Sequence, residues 1–172
     1  MNWYRIKTSL IGIKRLITLS DEDKQGCIDA YEFFQSMQTG EETRTEDETR
    51  AVADYYKVLN NMLSIFDVEK LYIPPQLDES EGLYGNQLLI EQFVLSELNL
   101  ENPAKSHLLD MGCGRGRISY HFAALTGGQV SGYNIDSNQI ESAIDWATEC
   151  EMSDRLHFKV GNHHEPLEYE SG

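Results

Sequence analysis

Apolar residues recur at three- and four-residue steps from the start of the chain. Trp3, Ile6, Leu10, Ile13 and Ile17 share one face of a helix. A second helical stretch reaches about residue 39, beyond a short acidic loop that contains a glycine. GEETRTEDET, residues 40–49, carries no large apolar side chain and reads as a linker. Helical spacing returns over 50–73 with Val52, Tyr55, Tyr56, Leu59, Met62, Leu63 and Phe66. Pro74-Pro75 stops it, and LDESEGLYGN reads as a loop. QLLIEQFVLSEL, residues 87–98, predicts a further amphipathic helix, ended by Asn99 and Pro103.

After Pro103 the pattern alternates. It predicts a strand at His107–Met111, a glycine turn, a helix over 116–126 and a strand at Gln129–Asn134. A helix over 138–150 and a strand at Leu156–Val160 follow. Strands alternating with helices of this length make an α/β unit with three parallel strands. The 172 residues suffice for one ordinary domain or two small ones.

Charge narrows the partners. The 29 acids outnumber the 14 bases, for a net charge of −15, which argues against duplex nucleic acid. The first twenty residues run against that trend, with Arg5, Lys7, Lys14 and Arg15 and no acid. Cys27, Cys113 and Cys150 are far apart and odd in number, which suits a reducing compartment, and the cytoplasm is the expected location. No apolar run approaches the roughly 20 residues of a membrane span.

The chemistry lies in HLLDMGCGRGRISYHFAAL, residues 107–125. A short strand carries Asp110 into Gly112-x-Gly114-x-Gly116, and a helix follows. Glycines let the backbone turn tightly and approach a ligand, while the helix N-terminus offers unpaired N–H groups. The spacing differs from the dinucleotide G-x-G-x-x-G, and a pyrophosphate gains nothing from an acid at that place. An amino-acid ammonium does. Nicotinamide nucleotides are disfavoured for the same reason.

LLDMGCGRG resembles motif I of the class I S-adenosylmethionine (AdoMet)-dependent methyltransferases. GYNIDSNQI, residues 132–140, resembles the second-strand segment of the sterol 24-C-methyltransferase group, and HFKVGNHHEPLEY the third. VADYYKVLNNML resembles the tyrosine-bearing helix that precedes their catalytic domain. The resemblance covers about residues 50–172 and implies the first half of a Rossmann-like methyltransferase sheet. It implies that Asp110, Gly112, Gly114 and Gly116 hold the methionine end of AdoMet. Asn134 would bond the ribose hydroxyls, with Gln139 beside it, and Asn162 would sit at the adenine edge. No catalytic residue is carried over. The implied substrate is a small molecule or lipid, although SIFDVEKLYIPP replaces the sterol-binding aromatic stretch expected after Tyr55-Tyr56. Arg115 and Arg117 stand where that group has small or apolar residues, and either reach a solvated face or meet an anionic group of substrate.

Asp110 to Gly172 leaves room for strands one to three only. The implied seven-stranded sheet places strand four beside strand one, so the chain reads as a fragment with an open central edge. Weak AdoMet affinity, negligible turnover and pairing with a second chain are expected of it.

DEDKQGCIDAYE, residues 21–32, carries a second pattern. Asp21, Asp23, Gln25, Cys27 (through its carbonyl), Asp29 and Glu32 fall at calcium-loop positions, with Gly26 at the turn. The stretch 9–39 therefore resembles an EF-hand, whose usual partner hand would come from a second hand or chain. The competing reading is an acidic helix cap, since Asp29 with Glu32 also makes a capping box. The basic first helix suits an entering EF-hand helix, a targeting segment or peripheral contact with a membrane surface. The organisation expected is an EF-hand-like helix–loop–helix over 1–40, an acidic linker over 41–49, a helical cap region over 50–100 and a partial methyltransferase domain over 101–172. The leading function is AdoMet-dependent methyl transfer with calcium binding at the N-terminus. The alternative is a non-catalytic calcium-binding or interaction protein on a remnant fold.

Overall fold

The computed structural model describes residues 3–37, 45–66 and 68–162. The chain divides into two units, Met1–Glu69 and Lys70–Gly172.

The first unit is helical. α1 (Trp3–Ile17) and α2 (Asp21–Met37) both pack on α3 (Thr45–Ile65). Small residues set the spacing: a Cβ on Gly12 would lie 2.7 Å from the Asn61 carbonyl oxygen, and Ala30 and Ala51 are buried. Phe34 meets Tyr55 edge to face, and Tyr55 meets Tyr56 likewise, both at 5.7 Å. These two tyrosines are thus packing residues of the helical unit.

Two elements differ from the pattern expected of the sequence. Residues 21–32 form no calcium loop: they are the first three turns of α2. Ser20 Oγ accepts from the Asp23 N–H at 3.0 Å and caps the helix, and Asp21, Glu22 and Asp23 complement its positive end. On a helix Asp21, Gln25, Asp29 and Glu32 share one face while Asp23 and Cys27 lie on the opposite one, so the six cannot enclose one ion. Their side chains are engaged elsewhere. Lys24 bonds Asp21 at 2.9 Å, Gln25 bonds Asp29 at 2.7 Å and Lys57 bonds Asp23, which holds the Asp23 carboxyl below its ordinary range. Gly26 is not among the glycines of positive φ. No metal-holding cluster of His, Cys, Asp and Glu exists among the described residues. The acidic linker is also shorter than expected. Residues 45–49 start α3, with Glu46, Asp47 and Glu48 in its first turn, and residues 38–44 lie outside the described residues. α3 belongs with α1 and α2 rather than with the helix that follows it.

The second unit is α/β. α4 (Leu83–Glu97) and a short 3-10 turn (Pro103–Lys105) lead into β1 (His107–Met111), α5 (Arg117–Thr126), β2 (Gln129–Asn134), α6 (Ser137–Glu149) and β3 (Leu156–Val160). The sheet is parallel in the order β1-β2-β3, with Asp110 beside Gly132 and Gly132 beside Phe158. α5 and α6 share one face, where the Tyr120 and Trp146 rings meet at 5.6 Å. Beneath them Ala123, Val130, Ala147, Met152 and Leu156 form the core. Full burial of Val130 contributes about 2 kcal/mol. β1 is an edge of this sheet, with Leu109 and Met111 largely exposed.

α4 begins four residues before its expected start because buried Asn86 holds the preceding loop. Its Oδ1 accepts from the N–H groups of Leu77 and Asp78 at 2.7 and 2.9 Å. Its Nδ2 donates to the carbonyls of Asp78, Glu81 and Gly82. Asn86→Ala is expected to cost about 2 kcal/mol and to speed amide exchange at Leu77 and Asp78. Exchange rates unchanged at those two amides would show that the loop is held by other means.

Candidate functional site

The glycine turn joins the carboxyl end of β1 to α5. The N–H groups of Gly112 and Cys113 both donate to the Tyr133 carbonyl, at 2.8 and 3.0 Å, so the turn is pinned to β2. Gly112, Gly114 and Gly116 all have positive φ. Two of them differ in purpose. A Cβ on Gly116 would lie 2.6 Å from the Phe158 ring and 2.9 Å from Ala143, so this glycine lets α5 settle onto the sheet. A Cβ on Gly112 would meet nothing within 4 Å. That side of the turn is open.

Asp110 lies below the turn, where Ser119 Oγ donates to its Oδ2 at 2.5 Å. Among the described residues no donor meets its Oδ1. Burial raises the Asp110 pKa, the Ser119 hydrogen bond opposes that shift, and the nearby Glu91 charge adds to it. A cation arriving at Oδ1 would favour the ionised carboxylate. Cys113, buried beside it, has its thiol pushed up to about 12 by burial and then by Asp110, so it is no nucleophile.

Asn134 ends β2, and its Nδ2 donates to Gln139 Oε1 at 3.2 Å. The same Gln139 oxygen lies 3.2 Å from where a Cβ of Gly114 would stand. Asp136 positions Gln139 by capping α6, accepting from the N–H groups of Asn138 and Gln139 at 2.7 and 3.0 Å. Asn162 lies two residues past β3, beyond Gly161, whose N–H donates to the Asn134 carbonyl at 3.0 Å. Asp110, the three glycines, Asn134, Gln139 and Asn162 thus gather at the carboxyl ends of the three strands. Ligands of open parallel sheets bind at that end. The surface groove between α4 and the far end of α5, at Leu95, Leu100 and Leu125, is remote from it.

Arg115 and Arg117 are buried, with no solvated face. Arg117 stacks 3.9 Å over the Trp146 ring and donates to the Arg115 carbonyl, while Arg115 Nε donates to Ser142 at 3.2 Å. They brace α5 against α6.

A second polar cluster escaped the sequence pattern. Glu91, 3% exposed on α4, receives Lys70 Nζ on both oxygens at 2.7 and 2.8 Å. The Tyr72 hydroxyl donates to its Oε1 at 2.5 Å, and His121 Nδ1, on α5, donates to Oε2 at 2.6 Å. Burial, and then Glu91, keep Tyr72 protonated far above its ordinary range. The only sequence signal was polar Gln87 and Glu91 within the apolar run QLLIEQFV.

These features define a partial Rossmann-like methyltransferase fold. Residues 103–172 match the family model described as a methyltransferase domain. The methyltransferase GfsG of Streptomyces halstedii is 30% identical over 117 residues, covering 66% of this chain and 41% of the relative. The sterol 24-C-methyltransferase ERG6A of Gibberella zeae is 23% identical over 157 residues, covering 88% and 41%. The chain therefore spans about two fifths of the length of these curated relatives. Among solved structures, the [4+2]-cyclase SpnF superposes with a TM-score of 0.62 at 22% identity, over 70% of this chain and 44% of that one. That likeness concerns the fold, which does not by itself fix an activity.

Proposed function

We propose that this chain binds AdoMet at the carboxyl ends of β1 to β3 and serves methyl transfer to a small-molecule or lipid acceptor. One observation carries the reading: half-buried Asp110, with Oδ1 unmet among the described residues, lies beneath a left-handed glycine turn whose Gly112 side is open. The donor set fits the group. Asp110 would take the ammonium, N–H groups of the turn and of α5 would take the carboxylate, and the Asn134–Gln139 pair would meet the ribose hydroxyls. Asn162 would face the adenine edge. Bound AdoMet supplies an electrophilic methyl on a sulfonium. The residues contribute position, aligning that methyl with an acceptor. Kinship with the sterol group is supported by the Asn134 and Gln139 spacing and by the similarity to ERG6A. The three free thiols suit a reducing, cytoplasmic setting.

No helix among the described residues is long and apolar enough to cross a membrane. The calcium-dependent alternative lost its site when residues 21–32 proved helical. Incubation with methyl-labelled AdoMet and separate extracts of lipids, proteins and nucleic acids tests the acceptor class. Label in the organic-soluble fraction, absent with Asp110→Ala, is expected. Label confined to protein or nucleic acid would contradict it.

A further inference from the structure

α1 packs with four of its five stripe residues exposed, Ile6 being half-buried. Its side toward α3 includes small and polar residues alongside half-buried Leu16: Gly12 lies against the Asn61 carbonyl, and Ser9 Oγ donates to the Ser64 carbonyl at 3.2 Å. Trp3, Leu10, Ile13 and Ile17 meanwhile stay 73%, 59%, 42% and 78% exposed. At 100° per residue the four fall within an arc of about 80°. Lys7 and Lys14 are both exposed and stand along one border of that arc, each four residues after a stripe residue. The helix carries no acid at all, in a chain of net charge −15.

We propose that this face of α1 docks on an anionic lipid bilayer, lying in the interface with its apolar stripe in the acyl boundary. An apolar arc rimmed by lysines is the combination that interfacial helices use: burial supplies adhesion and the basic rim meets lipid phosphates. Long lysine stems reach from the arc to the headgroups, and Trp3 suits the boundary between them. The fifteen residues of α1 are too few to span a bilayer. Glu69 is already paired with Arg5 on another side of α1 at 3.2 Å, and acids more than about 8 Å away are largely screened at physiological salt.

Cosedimentation of the full 172-residue protein with vesicles tests this. Vesicles of phosphatidylcholine with phosphatidylserine are expected to capture it, with a blue shift in fluorescence that disappears in Trp3→Phe. Vesicles of phosphatidylcholine alone should capture it at least about tenfold less. Leu10→Ser with Ile17→Ser replaces exposed side chains, so circular dichroism should stay unchanged while capture is lost. Lys7→Glu with Lys14→Glu should weaken capture by about tenfold or more and flatten its salt dependence. Equal capture by both vesicle types, no capture, or capture undiminished in the serine variant would overturn the proposal. Self-association that the serine variant abolishes, without vesicle capture, would assign the face to a second copy of the chain.

Discussion

Replacing Glu91 by alanine is expected to lower stability by about 3–5 kcal/mol, read as the shift in a urea melt of the second unit. The change leaves the Lys70 ammonium, 5% exposed, without its carboxylate, and removes the acceptor for Tyr72 and His121. A buried charge stripped of its partner costs far more than the intact pair contributes. The segment at Lys70–Tyr72, α4 and α5 all meet at this one carboxylate, so its loss also frees the helix that carries Ser119. A loss below about 1 kcal/mol, the range of an exposed ion pair, would contradict this. Tyr72 adds a pH signature. Its folded pKa is raised, so the unfolded chain releases the phenol proton first as pH rises past about 10. The stability from Tyr72 is complete below that value and declines above it. Tyr72→Phe should remove that alkaline slope.

The second large effect separates two glycines of the same motif. Gly116→Val is expected to unfold the α/β unit or displace α5, because its Cβ enters the space of Phe158 and Ala143 at a φ of +74°. Gly112→Ala meets no atom within 4 Å and should cost only the left-handed backbone penalty of about 1–2 kcal/mol. Its methyl would nevertheless fill the open side of the turn and weaken AdoMet binding. Thermal melts and ligand titration of the two variants distinguish packing from contact. Equal destabilisation by both would show that Gly112 also serves packing.

The α/β half was legible because its signals agree. Short runs such as HLLDM and QVSGYN, each followed by a glycine turn or a capping acid, fit only strands feeding helices. The strands fall where the pattern places them. α2 misled because one set of acids satisfies two physical demands. Asp21, Glu22 and Asp23 after Ser20 suit a calcium loop and equally suit the positive end of a helix, and spacing cannot separate these uses. The periodicity of α1 was legible, but its orientation was not, since Gly12 and Ser9, off the apolar stripe, lie on the side that meets α3. The Glu91 cluster was hidden because its partners lie 19 to 30 residues away and meet only through tertiary packing.

Isothermal titration of AdoMet into the 172-residue protein and into Asp110→Asn reads directly whether this turn holds the ligand. The variant keeps the shape of the side chain and removes the charge that would meet the ligand ammonium. Saturable one-site binding to the protein and at least about tenfold weaker binding to Asp110→Asn are expected. Because the Asp110 pKa is raised and the ammonium favours its ionised form, affinity should climb as pH rises through the titration of this carboxyl, and the variant should lack that climb. Absence of binding, or affinity undiminished in Asp110→Asn, would contradict the assignment of this turn to AdoMet.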